Sequence, residues 1–206
     1  TQADNVYSMA FDGVNDYFIS TLDGTGGSGS IIGLNSAADL SVSLWFKSSN
    51  TTPTGVGIFQ WANALNSGMP FIMIRQGTPG TVANVYVDNQ YVVTNKPIVA
   101  DTWYHITVTR SASDSIWRIC FDGEQYATHN DSGTPNNQSN ADSIYLGNAY
   151  NGYFPGNIDE VAIFNYALSA RQIKQDIYNG TTTGKTADLN NISNLTAPVA
   201  WYRMGD

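Results

Sequence analysis

Charge is scarce in this chain: 13% of its 206 residues are charged, and 9 basic side chains face 17 acidic ones for a net charge of −8. So few cations cannot neutralise a row of phosphates, which excludes nucleic acid as a partner. The same balance argues against anionic membrane surfaces and reads otherwise as a solubility feature. Cysteine is nearly absent, and the one Cys120 cannot close an internal disulfide. It lies in the strand-like run Ile116–Phe121, which suits a buried, inert thiol. An extracellular life stays open without disulfides, because a core of this size needs no covalent staples. No apolar run is long enough to cross a bilayer. No signal peptide is visible, and a chain that starts at Thr1 reads as processed or excised.

Aromatic residues and turn formers are plentiful: 12 Tyr, 8 Phe and 5 Trp stand among 19 Gly and many Asn, Ser and Thr. That composition belongs to many short strands joined by turns. Strands are expected at 7–11, 17–19, 40–47, 57–61, 71–75, 82–87, 90–94, 103–109, 116–121, 125–128, 143–146 and 157–164. Along 40–47, Leu40, Val42, Leu44 and Phe46 share one face, while Ser41, Ser43, Trp45 and Lys47 share the other. Trp45 therefore belongs to a second buried layer or to a ligand-facing surface. Asp122-Gly123 and Asp88-Asn89 each sit between two strand-like runs and suit tight hairpin turns. One helix is expected after Ser169. Ser169 and Gln172 form a capping box, Leu168 and Ile173 a hydrophobic staple, Ile173 and Ile177 share a face, and Gly180 suits the exit. A polar stretch, 181–194, leads to the apolar tail Val199–Asp206. The tail is either the last strand of the same sandwich or the first of a successor; lying against its own sheet is the favoured expectation.

Four segments carry a resemblance: Tyr7–Phe18, Leu44-Trp45-Phe46, Trp103–Val108, and the run Gly156–Ser169 that leads into the helix. Together they resemble the laminin-G-like, concanavalin-A-like lectin and glucanase superfamily, in its pentraxin-related branch. The resemblance spans about residues 7–180 and implies an all-β, two-sheet antiparallel jelly-roll sandwich with a short helix near its end. We expect one such domain over 1–206, with 181–206 as polar loop plus terminal strand.

Catalysis finds little support. Glucan-cleaving relatives place two carboxyls about 5–5.5 Å apart for retaining chemistry. The matching segment here reads Asn157-Ile158-Asp159-Glu160, with Asn157 where the nucleophile belongs. Neighbouring Asp159 and Glu160 are expected on opposite faces of a strand. Glu124 is the one other Glu in the chain. His105 and His129 lie near no nucleophile elbow, and one Cys with two distant His makes no zinc site. Segment 24–29 is Gly-rich but lacks the Lys-Ser/Thr that completes a phosphate loop.

Binding is the better reading. Asp12, Asn15 and Asp16 read equally as a structural calcium site or as a turn. In the pentraxin-like pattern, ligand-binding calciums sit in the loop after a strand ending Leu-Gly, and here Asn148, Ala149 and Asn151 replace the acidic residues. Asp159 could join a metal or anchor backbone amides. For a sugar, Asn148, Tyr150, Asn151 and Tyr153 offer aromatic faces and amides in one loop. The pentraxin-like layout would bring Trp61, Asn63 and Asn66 beside them. Sequons at Asn130, Asn137 and Asn191 occur at near-chance density. The expectation is a non-enzymatic, extracellular or surface-exposed module that binds a glycan or polysaccharide, with calcium as its one candidate cofactor. The competing expectation is an assembly module of a filament, adhesin or virion fibre that touches neighbouring modules or copies of itself.

Overall fold

A computed structural model describes residues 8–21, 38–52, 54–62, 72–77, 82–133, 143–149, 152–180 and 188–204. The alternating segments become the strands of two sheets packed face to face in a jelly-roll sandwich. The seven-stranded sheet runs β1 (Met9–Asp12), β14 (Pro155–Phe164), β3 (Leu40–Ser48), β8 (Trp103–Ser111), β9 (Ile116–Phe121), β10 (Glu124–Asn130), with β15 (Ala200–Tyr202) also on β14. The eight-stranded sheet runs β12 (Asn148–Ala149), β13 (Gly152–Tyr153), β4 (Gly57–Ala62), β5 (Ile72–Gln76), β6 (Val82–Val87), β7 (Gln90–Pro97). In that sheet β11 (Ser143–Leu146) joins β4 to β2 (Phe18–Thr21). Pairing is antiparallel except where Tyr153 meets Gly57 in parallel.

Period-two alternation builds the core. Leu40, Val42, Leu44 and Phe46 point inward, and Ile106, Val108, Ile158 and Ile163 join them from the neighbouring strands. Phe59, Trp61, Ile72, Ile74, Val85 and Val87 meet them from the other sheet. The two expected hairpins form. Asp88 and Asn89 take φ of 51° and 59°, and Asp122 and Gly123 take 52° and 79°. Positive φ at both central residues matches the twist of the flanking strands.

A second layer covers the outer face of the seven-stranded sheet. Helix α1 (Gln172–Tyr178) is wound wide, with the Asn179 N–H donating to the Lys174 carbonyl five residues back. Its entry is the capping box read from the sequence: the Ser169 N–H donates to Gln172 Oε1 (3.0 Å), and the Gln172 N–H donates to Ser169 Oγ (3.3 Å). Leu168, Ile173, Ile177, Leu189 and Leu195 pack with Cys120, Ala162 and Phe164 of the sheet. Burial pushes the Cys120 thiol up to about 11, consistent with an inert side chain. Trp45 lies in this buried layer, stacked on Tyr178 with ring centroids 5.7 Å apart.

The tail lies against its own sheet. β1 pairs with β14 at 155–158 and β15 with the same edge at 161–163, so the two short strands share that edge end to end. Between them β14 bulges: two residues, Asp159 and Glu160, separate the core-facing Ile158 and Val161. Glu160 takes φ of 52° there. The bulge breaks the expected placement of these carboxylates on opposite faces. Asp159 Oδ1 accepts the Glu160 N–H (2.8 Å), an amide-anchoring role. Buried Glu160 accepts from Trp201 Nε1 (2.6 Å) and lies 3.7 Å from Arg203 Nε. At the far end of the sandwich, Asp131 accepts from Arg110 Nε (2.6 Å) and Trp117 Nε1 (3.0 Å), all buried. Removing one partner of such a pair strands the other charge, at a cost of about 3–5 kcal/mol.

His105 is the structural residue its sequence context implied. It is fully buried beside Trp45 and Tyr178, and its Nε2 lies 2.8 Å from Ser43 Oγ. The nearest carboxylate contact is to its backbone, whose N–H donates to Asp122 Oδ1 (3.0 Å). Burial alone pushes its pKa from 6.5 to about 3. The unfolded chain therefore binds a proton that the folded chain refuses between those values. This contribution to stability is complete above pH 6.5 and falls away as the pH drops toward 3. Urea unfolding between pH 7 and 5 should show stability falling by up to about 1.4 kcal/mol per pH unit, with a shallower slope in His105→Gln. Equal slopes in the two proteins would contradict this.

Candidate functional site

The outer face of the eight-stranded sheet is built differently from its counterpart. The same alternation that sends Ile72, Ile74, Val85 and Val87 inward sends Met73, Arg75, Asn84 and Tyr86 outward. One row across the strands reads Ile19, Tyr145, Gln60, Met73, Tyr86, Tyr91. Its ends are open, with Ile19 47% and Tyr91 48% exposed, while the four residues between are buried. The next row places Arg75 opposite Asn84. Directly opposed residues bring their Cβ atoms within about 4.5–5.5 Å.

The local chemistry is polar and aromatic. The Arg75 guanidinium lies 4.2 Å from the Tyr91 ring centre. Tyr91 meets Tyr86 edge to face with centroids 4.8 Å apart. The Tyr86 hydroxyl donates to Asn89 Oδ1, and burial raises its pKa, with Tyr91 and Asp88 adding to the shift. Two buried polar atoms here have no hydrogen-bond partner: the Arg75 Nε donor and the Asn84 Oδ1 acceptor. A buried polar group left unpaired costs about 1–3 kcal/mol, a cost this sheet shares with Trp45 Nε1, His105 Nδ1 and Thr107 Oγ1 of the other.

The loop singled out in the sequence folds onto this face. After β11, Gly147 turns the chain with φ of 77°, and Phe154 drops into the core. Between them β12 and β13 pair through Asn148–Tyr153 and Ala149–Gly152. Ala149 packs on Met73 and Tyr86, so this hairpin walls the row. Gly57 makes the approach feasible: a Cβ there would sit 2.1 Å from Ala149 Cβ. Asn148 is buried and Tyr153 half-buried in the wall. Asn63, Asn66, Tyr150 and Asn151 lie outside the described residues, as do segment 24–29, Asn137 and residues 181–187. Trp61 is a correction. It points into the core and is 2% exposed, so its ring offers no face to a sugar; its outward neighbour on β4 is Gln60.

The candidate metal residues do not converge. Asp12 Oδ1 accepts the Val14 N–H (2.7 Å) and the Asn15 N–H (3.2 Å), and Asp16 Oδ2 accepts the Asp12 N–H (3.2 Å). The Val14 and Asn15 amides hold the Asp12 carboxyl below the usual carboxylate range. Asp12 stands opposite Pro155, four residues along β14 from Asp159 and so roughly 13 Å away. Among the described residues no three His, Cys, Asp or Glu side chains gather as a metal site. Calcium takes about 6–8 oxygens, and this exposed turn already commits two carboxylate oxygens to its own amides. The residues present do not fit a calcium cage.

Comparison with known proteins agrees with this architecture. The sequence model of the concanavalin A-like lectin/glucanases superfamily matches residues 4–174. The chain belongs to that superfamily. A rat protein, "Sushi, von Willebrand factor type A, EGF and pentraxin domain-containing protein 1", is 29% identical over 149 residues. That match covers 66% of this chain but 4% of the rat protein. A candidate carbohydrate-binding protein from Bacteroides ovatus superposes with a TM-score of 0.67 at 17% identity, over 97% of this chain and 52% of that one. A domain of an extracellular arabinanase from Geobacillus stearothermophilus, solved with arabinotriose, superposes with a TM-score of 0.54 at 18% identity. The superposition covers 80% of this chain and 85% of that domain. At these identities the structural likeness establishes the fold.

In this concanavalin A-like sandwich, sequence reasoning passed over Gln60, Met73, Arg75, Asn84, Tyr86, Tyr91 and Tyr145. The outward phase of Asn84 and Tyr86 was readable in β6, where they alternate with Val85 and Val87. What was not readable is that the outward residues form one row, because β11, β4, β5, β6 and β7 are joined only by the topology. The wall predicts a steric effect. Gly57→Leu should push the β12–β13 hairpin off Met73 and Tyr86 and destabilise the protein by about 1–3 kcal/mol. Hydrogen exchange at Ala149 and Tyr153 should accelerate with it; unchanged protection would contradict the packing.

Proposed function

We propose that this chain is a non-catalytic carbohydrate-binding module, and that its glycan lies on the outer face of the eight-stranded sheet. The single observation carrying this reading is the guanidinium of Arg75, without a carboxylate partner among the described residues, lying 4.2 Å from the half-exposed ring of Tyr91. A guanidinium donates to sugar oxygens, and the C–H face of a pyranose covers an aromatic ring. The hairpin carrying Asn148 and Tyr153 supplies one wall. Superfamily membership and the two sugar-related structural neighbours support the same class of ligand. The module works outside the cell or at its surface, where glycans and polysaccharides are displayed.

The non-catalytic part of the proposal draws on β14. Glu160, the carboxylate in the glucanase-like segment, is buried and engaged by Trp201 and Arg203. Asp159 is bound to the adjacent amide. Neither stands beside Arg75 or Tyr91, which belong to the other sheet.

A glycan array run with calcium and again with a chelator tests the reading. Binding to a defined glycan class in both conditions is the expected result. Binding that disappears with the chelator would overturn the metal-free site. Silence in both conditions would overturn the carbohydrate-binding function.

A further inference from the structure

The described cations of this acidic chain separate into two groups. Lys96, Arg110, Arg118, Arg171, Lys174 and Arg203 each pair with a carboxylate. Arg75 and Lys47 instead lie over aromatic rings, Tyr91 and Trp103. Of these two, Arg75 has a buried donor with no partner, and it faces Asn84, itself buried with an unmet acceptor. With 17 acidic side chains in the chain, a guanidinium left without one in a walled row is a position prepared for an external anion.

From this we infer that the glycan is an acidic one, a uronic or sialic acid whose carboxylate docks on Arg75; the inference rests on the proposed carbohydrate-binding role and narrows it. The guanidinium is planar, weakly hydrated and always charged, and it matches a carboxylate with two parallel N–H···O bonds. The guanidinium lies over Tyr91, 4.2 Å from the ring centre, and no carboxylate of the described residues pairs with it. An acidic sugar therefore gains a charge partner here that neutral hexoses do not. The net charge of −8 repels acidic polymers at long range. That field is screened beyond about 8 Å at physiological salt, while a contact pair is not.

The probes are a trigalacturonate and a sialyllactose, each as the free acid and as the methyl ester, with a neutral galactotriose. They are titrated calorimetrically into wild type, Arg75→Gln and Arg75→Lys. Wild type should bind at least one free acid tenfold or more tighter than its ester. Arg75→Gln should erase that difference by lowering free-acid affinity to the level of the ester, and Arg75→Lys should restore part of it. Coincident thermal melts of the three proteins establish that the variants fold. Equal affinity for acid and ester in wild type, or a surviving acid preference in Arg75→Gln, overturns the acidic ligand. If the neutral sugar or the esters bind without acid preference, the inference fails and the carbohydrate-binding role stands. If no glycan of any kind binds, both fail.

Discussion

Leu44, Ile106 and Ile158 from one sheet meet Phe59, Ile74 and Val85 from the other in a single apolar layer, and every other feature depends on that contact. Because a strand alternates its side chains, each residue committed inward commits its neighbours outward. The sandwich therefore has two further faces whose composition is fixed once the core is fixed. A single-residue slip of any strand would exchange them, which is why the register is so strongly specified.

The two outer faces are resolved in different ways. On the seven-stranded sheet, Ala162, Phe164 and Cys120 are apolar, and α1 with residues 188–204 covers them. Trp45 and His105 lie in the same layer, and desolvation there keeps His105 neutral. The bulge at Asp159 and Glu160 gives Trp201 and Arg203 a buried carboxylate to hold, which fastens β15. On the eight-stranded sheet the outward residues include Gln60, Arg75, Asn84, Tyr86 and Tyr91, of which Arg75 lies over Tyr91 rather than against a carboxylate. One face spends its chemistry on stability. The other keeps a guanidinium without a carboxylate partner among the described residues, beside the half-exposed ring of Tyr91.

Much of this was legible in the sequence. The strands from Leu40 to Phe164 follow alternation and turn chemistry that are local, and the Ser169–Gln172 box is a four-residue signal. The two-residue strands β12 and β13 escaped notice because they exist only where Ala149 packs on Met73 and Tyr86 across a large separation. Trp61 was misplaced for a related reason. A strand buried on both faces, as β4 is, shows no polar alternation to tell a core tryptophan from a sugar platform. Asp12, Asn15, Asp16 and Asp159 were grouped by residue type, whereas the register separates Asp159 from the turn.

The account makes one face of a superfamily sandwich the binding surface, and chemical-shift mapping tests that most directly. Titrating an oligogalacturonide into 15N-labelled protein should move the amides of Arg75, Asn84, Tyr86, Tyr91 and Asn148 most. Shifts confined to the β1–β2 turn or to Trp45, Asp159 and Glu160 would place the ligand on the other side of the molecule and contradict the account.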